Sequence, residues 1–336
     1  MHGWLIIDKP VGPGSTRIVS AVKRALREGD YPKMKVGHGG TLDPLASGVL
    51  PIALGEATKL SGRMLGADKS YDFTIRFGEE TDSLDAEGEV IARSDRRPTS
   101  AEIEAVLPRF TGEIEQVPPA FSALKVDGRR AYDLARAGKA VALATRKVRV
   151  LSLSVRHPNE MVGPPSRCPG DSAAPPWDLS SLTGPEKEKG DSSFRWNDGG
   201  GLEEITVSVT VSKGTYIRSL ARDIAHALDS VGYVTMLRRT RAGPFTLEGA
   251  ISLDKLGELA KARDLEQALL PLTAGLDDIP ALPVTPDQAR ALREGRKVIG
   301  IAAIPGLHLA TDQSVPVALV EAEPGAVLRV VRGFNL

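Results

Sequence analysis

The segment Gly37-His38-Gly39-Gly40-Thr41-Leu42-Asp43-Pro44-Leu45-Ala46-Ser47-Gly48 carries one imidazole and one carboxylate in a turn. It then runs into the apolar Val49-Leu50-Pro51-Ile52-Ala53-Leu54. Three glycines in the first four positions admit backbone angles and close approaches that side chains forbid. Pro44 disfavours the α region for Asp43, so its carboxylate is presented from extended or turn backbone. Asp-Pro is also an ordinary turn former, and the residues alone leave the chemistry open. No Gly-Lys-Ser/Thr follows at phosphate-loop spacing. His2, His157, His226 and His308 are scattered, and no His-Glu-x-x-His or cysteine cluster completes a metal site with His38.

The 336 residues allow more than one domain, and 41% hydrophobic with 26% charged residues is an ordinary globular balance. No long uncharged apolar segment reads as a membrane span. The start, Met1-His2-Gly3-Trp4-Leu5-Ile6-Ile7-Asp8, turns acidic too soon for a signal peptide. The single cysteine, Cys168, excludes an intramolecular disulfide and fits a reducing cytoplasm. Net charge is zero, so distribution matters more than the sum. Basic residues gather at Lys33 and Lys35, Arg129-Arg130, Arg146-Lys147-Arg149 and Arg238-Arg239-Arg241, which suits a phosphate-tracking face. Acidic residues gather apart from these, at Glu79-Glu80-Asp82 and Asp85-Glu87-Glu89.

Residues 3–8 read as a strand, and Ser15 or Thr16 caps a helix with Ile18, Val19, Val22, Ala25 and Leu26 on one face. Tyr71, Phe73, Ile75 and Phe77 alternate along a strand, and strands are also expected at 148–155 and 204–211. Thr99-x-x-Glu102 is a capping-box signature. Residues 217–229 read as a helix with Arg218 in its first turn. Between residues 157 and 203, Pro, Gly and Ser dominate, and that stretch has too little apolar surface to offset its ordering entropy. It is read as a largely disordered surface insertion, with Trp177 and Trp196 as its possible anchors. Helical stretches follow at about 252–261 and 263–270. Thr285-Pro286-Asp287-Gln288 opens a further helix that Gly295 closes, and strands are expected at 316–321 and 326–331. The pattern is α+β, without the regular alternation of a doubly wound sheet.

The string from Gly37 to Lys59, GHGGTLDPLASGVLPIALGEATK, resembles the catalytic motif of the TruB family of tRNA pseudouridine synthases. Asp8-Lys9-Pro10, Lys69-Ser70-Tyr71, Pro118-Pro119-Ala120-Phe121-Ser122-Ala123-Leu124-Lys125, Lys213-Gly214-Thr215-Tyr216-Ile217-Arg218 and Leu237-Arg238-Arg239-Thr240 resemble further family blocks, in family order. The resemblance covers about residues 3–250. It implies a pseudouridine synthase fold, with a mixed, largely antiparallel sheet flanked by helices, and a small, mainly β PUA-like C-terminal domain. The expected division is 1–250 catalytic, 251–279 a helical connecting segment and 280–336 PUA-like.

The same resemblance implies isomerisation of uridine-55 in the T loop of tRNA, with no metal or organic cofactor and no obligatory protein partner. A base stacked in folded RNA must be extruded before chemistry reaches it. Asp43 is then the essential carboxylate, attacking C1′ or C6 or acting as a base at C2′. Burial raises an acid's pKa, so a cation must hold it ionised. Arg218 is expected in that role, in bidentate pairing that offsets the unfavourable helix dipole. Tyr71 is expected to stack on the flipped uracil, where an aromatic platform contributes about 1–3 kcal/mol per base. His38, Tyr216 and Leu237 are expected to contact substrate, and Lys9 to support the site. Gly14 stands where the family often has a hydroxyl residue, and Gly39 where alanine, serine or threonine is usual. Two alternatives remain: a guide-RNA-dependent synthase of the dyskerin type, and a tRNA-binding or folding protein without catalysis.

Overall fold

The structure is a computed structural model, and it describes residues 1–122, 124–126, 128–138, 143–156, 194–196 and 201–336. The first half supplies β1 (Gly3–Lys9), α1 (Ser15–Glu28), β2 (Val36–His38), β3 (Ala46–Leu54), α2 (Ser61–Gly66) and β4 (Lys69–Phe77). A hairpin of β5 (Glu79–Thr81) and β6 (Val90–Arg93) leads to α3 (Ser100–Val106) and β7 (Gly112–Gln116). The short pair β8 (Lys125–Val126) and β9 (Arg129–Arg130) precedes α4 (Ala131–Arg136). Next come β10 (Arg146–Val155), β11 (Phe194–Trp196), β12 (Leu202–Val211), α5 (Ile217–Ala227), β13 (Gly232–Ala242) and β14 (Phe245–Thr246). Finally α6 (Leu253–Lys261) and β15 (Leu269–Pro271) return to the first strands.

Among the described residues, eleven of these strands form one sheet, in the order β15-β1-β3-β13-β4-β12-β10-β7 with β2, β11 and β14 attached. Its ladders are antiparallel except between β3 and β13, where Leu237 lies opposite Ala46. That parallel seam joins the two halves of the chain. On one side of it, α3 and α5 cover β4, β12 and β13 through Ile103, Leu220, Ile224, Phe73 and Val207. On the other, α1 and α6 cover β1 and β3 through Ile18, Val22, Leu256, Leu5 and Ile52. The α+β expectation holds. The capping box at Thr99 and Glu102 also forms, through both reciprocal hydrogen bonds.

Three local expectations change. The cap of α1 is Gly14, not Ser15 or Thr16, because the Ser15 hydroxyl is engaged with Leu42. Residues 263–270 hold only a 3-10 turn, Leu265–Ala268, before β15 pairs with β1. The segment read as a connector thus supplies an edge strand and the helix that packs on α1. The expected insertion is entered by order at its far end, since β11 pairs with β12 and β12 begins at Leu202. The rest of that stretch, Trp177 included, lies outside the described residues.

The C-terminal unit contains β16 (Ala281–Pro283), α7 (Pro286–Arg293), β17 (Val298–Ile299), β18 (Gly306–Asp312), β19 (Val315–Glu323) and β20 (Val327–Gly333). Among the described residues its strands form a five-stranded sheet, β16-β18-β19-β20-β17. Thr285 and Gln288 complete the capping box of α7, with Pro286 in its first turn. A shared apolar cluster joins this unit to the large sheet, bringing Leu309, Leu319 and Phe334 against Trp4, Ala53 and Leu60.

Candidate active site

Asp43 sits on a loop whose backbone is held by buried donors on several sides. Lys9, at the end of β1, donates to the carbonyls of Pro10 (2.8 Å), Pro44 (3.1 Å) and Ala46 (2.5 Å). Arg239, on β13, donates to those of Val49 (2.7 Å), Gly40 (3.2 Å) and Thr41 (3.3 Å). The Ser15 hydroxyl donates to the Leu42 carbonyl (3.1 Å) and accepts the Leu42 N–H (2.8 Å). The loop is therefore a cast backbone rather than a free connector. Gly48 is essential to the arrangement: it has φ +99°, and a Cβ there would lie 2.2 Å from the Arg239 carbonyl oxygen. Gly39 is required by its neighbour, because an added Cβ would meet the Met64 Cβ at 2.8 Å. Gly14 faces open space, so a side chain would fit there without a clash.

Arg218 occupies the second position of α5 and is almost completely buried. One guanidinium nitrogen lies 2.8 Å from the Asp43 carboxylate and the other 3.1 Å from that of Asp85. The expected bidentate pair with Asp43 is thus replaced by a split bridge between two acids. The same guanidinium donates to the carbonyls of Ser83 (2.8 Å) and Phe121 (3.0 Å). Asp85 is held in turn by the Ser83 hydroxyl (2.5 Å) and the Glu87 N–H (3.0 Å). These partners satisfy a buried cation at a helix start, where the dipole opposes it.

Asp43, Leu45, Ala46, Asp85, Arg218 and Leu237 line a cavity of about 10 Å³, the room of about one water. Leu237 reaches it because the parallel seam sets it beside Ala46. Tyr71 is half-buried on β4, opposite Arg239 of β13, and like Leu237 packs against both apolar clusters. It is not among the residues lining the cavity with Asp43. Tyr216 is the N-cap residue of α5, two positions before Arg218; Gln116 clasps its backbone at 2.8 and 3.0 Å, and Arg146 lies 5.5 Å over its ring. His38, on β2, has a buried Nδ1 without a hydrogen-bond partner among the described residues. Burial, and then the Arg239 charge, hold its pKa below the ordinary value, which favours the neutral ring. Burial also brings Lys9 down from 10.5 to about 8, with Asp43 opposing that shift and Arg239 adding to it.

Members of two charged runs, one read as part of a phosphate-tracking face and one as lying apart from it, make internal contacts. In the basic run, Arg238 pairs with both carboxylate oxygens of Asp8 (3.1 and 2.8 Å), Arg239 is buried, and Arg241 donates to Ser70 (3.3 Å). In the acidic run, Asp85 belongs to the site rather than apart from it. Sequence marks Ser15 only as a cap candidate and Asp85 and Arg239 only within charged runs and blocks, and it does not mark Gln116. What brings them to the site is distant: Leu42 for Ser15, Arg218 for Asp85, Val49 for Arg239 and Tyr216 for Gln116. Among the described residues, no group of three or more metal-ligating side chains converges.

Asp43 and the buried Arg218 thus meet beside the parallel seam between two halves of a mixed sheet, the setting in which the likeness to known proteins is read. The crystal structure of a Cbf5-Nop10-Gar1 complex superposes with a TM-score of 0.65 at 26% identity, covering 99% of this chain and 85% of that one. Family models for the TruB family pseudouridylate synthase N-terminal domain and the tRNA pseudouridylate synthase B C-terminal domain match residues 24–162 and 218–277. Curated relatives called tRNA pseudouridine synthase B come from Zymomonas mobilis (53% identical, 100% of this chain, 96% of the relative) and Novosphingobium aromaticivorans (54%, 100% and 98%). The chain belongs to the TruB family of pseudouridylate synthases.

Proposed function

We propose that this chain is a tRNA pseudouridine synthase that isomerises uridine-55 of the T loop, with Asp43 as the reacting carboxylate. The observation that carries the reading is the bridge from Arg218 to Asp43, which fixes a half-exposed acid beside a cavity. The reaction breaks the N1–C1′ bond, turns the base and rejoins it through C5, so no redox partner is consumed. Asp43 begins it by attack at C1′ or C6, or by taking the C2′ proton. The flipped base enters beside Asp43, whose side chain is 44% open to solvent. Tyr71 then supplies the stacking face, Leu237 the apolar wall and Tyr216 a contact at the rim, while His38 meets the substrate as a neutral ring. Lys9 and Arg239 hold the loop still. Residues 1–250 carry the catalysis, with residues 251–279 completing their sheet, and residues 280–336 form a PUA-like RNA-binding unit.

The guide-dependent alternative is less well supported, since identity to the Cbf5 complex is 26% against 53–54% to the bacterial relatives. No protein partner is required on this reading, and the enzyme works in the cytoplasm with its tRNA. Among the described residues no helix is long and apolar enough to cross a membrane. The test is tritium release from unmodified tRNA carrying 5-tritiated uridine. Asp43→Asn is expected to abolish release while tRNA binding persists. Undiminished release from that variant would remove Asp43 from the chemistry.

A further inference from the structure

The block Lys69-Ser70-Tyr71 carries part of the family resemblance, yet only Tyr71 of the three meets the base on the reading above. Lys69 is the first residue of β4 and is buried. Its ammonium donates to the carbonyls of Met64 (3.0 Å), Leu65 (2.8 Å) and Ala67 (2.6 Å). Those carbonyls close α2, a helix of only six residues. A helix end leaves its last carbonyls without intrahelical partners, and a helix this short does not hold itself together. One buried cation, with three protons for three acceptors, supplies the missing donors and suits the negative end of the helix dipole. Burial, and then the Arg239 charge, bring the Lys69 pKa from 10.5 down to about 8, with Asp68 opposing, so the ammonium form prevails at neutral pH.

The same side chain borders the site. Alternation along β4 puts Lys69 and Tyr71 on one face, two residues apart, with Ala242 and Arg239 of β13 opposite them. A Cβ on Gly40 would come 4.0 Å from the Lys69 Cε and 3.6 Å from the Arg239 Nη1, so both cationic side chains reach the same glycine of the Asp43 loop. Met64, whose carbonyl Lys69 takes, is also the residue that packs on Gly39. The Gly243 N–H holds the carbonyl of Asp68 (2.9 Å), which fixes the link between α2 and β4 from a third side.

We propose that Lys69 is a positioning residue: it ties the end of α2 to the start of β4 and thereby sets the spacing between Tyr71 and the loop of Gly39, Gly40 and Asp43. The inference rests on the tRNA reading above, in which the ring and the carboxylate act on one base. Lys69 itself touches no substrate. Without its ammonium, three carbonyls lose this donor at once, and the end of α2 turns to find others. Met64 then no longer presses on Gly39, and the strand start under Tyr71 is released. A ring and an acid working on the same base tolerate little slack, because the rate depends on holding the reacting groups in near-attack geometry.

Lys69→Met keeps the stem and removes the ammonium, and single-turnover tritium release from unmodified tRNA should slow by about tenfold or more, with tRNA affinity held within about threefold. 3-Fluorotyrosine in place of the five tyrosines gives a second reading, with the Tyr71 fluorine resonance assigned through Tyr71→Phe. In Lys69→Met that resonance should shift or broaden while those of Tyr31 and Tyr233 hold. A slowed rate with an unmoved Tyr71 resonance shows a structural role alone and overturns the proposal. So does a moved resonance with an unslowed rate, or a variant that matches wild type in both. A loss that lies in tRNA affinity rather than in the rate overturns it as well. Lys69→Arg keeps the charge, but its planar fork does not converge on three carbonyls as an ammonium does. It should show the same joint change in smaller measure, and it carries the test if Lys69→Met does not fold. Wild type that releases no tritium from tRNA would instead refute the tRNA reading, and the Tyr71 resonance would still decide whether Lys69 places the ring.

Discussion

Asp43 and Arg218 form an ion pair of unequal exposure, with 44% of the aspartate side chain open to solvent against 7% of the arginine's, at 2.8 Å. The cation is fixed by Ser83, Asp85 and Phe121, and the acid is presented to the cavity at its end. On the proposed function, reactivity is displayed on Asp43 while positioning is locked in Arg218. Arg218→Lys keeps the charge but has no planar fork to span Asp43 and Asp85 together. Turnover in single-turnover tritium release should fall about 100-fold, the scale seen when one preorganised donor is lost, with tRNA affinity held within about threefold. A variant as fast as wild type would show that the split bridge does not matter to the chemistry.

Gly48 combines a left-handed φ with direct contact on the Arg239 backbone. Gly48→Ala should destabilise the fold by about 2 kcal/mol or more, since the strained φ and the clash act together. Urea denaturation monitored by tryptophan fluorescence measures this. An unshifted midpoint would mean that the seam between β3 and β13 relaxes freely.

Removing the guanidinium in Arg239→Met leaves the carbonyls of Gly40, Thr41 and Val49 without their donor, at about 1–3 kcal/mol for a buried orphan. Stability should drop on that scale. The His38 pKa should also rise toward its ordinary value, because one of the two influences that lower it is gone. Proton NMR titration of His38 reads this directly, and an unmoved pKa would contradict the assigned proximity.

Lys9 titrates at about 8 in the folded protein against 10.5 for an unperturbed lysine. Between those values the unfolded chain holds the extra proton, so this group's contribution to stability rises as pH climbs from about 8 to 10.5. Loop order moves the opposite way. The ammonium has three protons for its three carbonyls, and the neutral amine only two. Activity should therefore fall above about pH 8 without a matching fall in urea midpoint. Heteronuclear NMR of the Lys9 Nζ locates the transition, and a value near 10.5 would dismiss the argument.

What the sequence reveals follows the range of each interaction. The boxes at Thr99 and Thr285 close within three residues, so spacing alone announces them. The strand through Tyr71, Phe73, Ile75 and Phe77 is legible because alternation is local. The ion pair of Asp43 with Arg218 was reached through family resemblance, not periodicity. Asp85 and Arg239 look like ordinary members of charged runs, since what distinguishes them is a partner more than a hundred positions away, Arg218 for the one and Val49 for the other. Residues 194–196 escape for a related reason: their Ser-rich and Gly-rich surroundings say nothing of the ladder that β12 offers them.

The donor that fixes the far end of the Asp43 loop stands 190 residues downstream of its acceptor, Val49. At roughly 5–20 residues per second, a ribosome takes about 10–40 s to bridge that gap. A nascent chain therefore carries Asp43 long before it carries Arg218 and Arg239. On the proposed function, synthesis itself delays activity until β13 has emerged, and a truncated product ending before that strand has an unassembled centre.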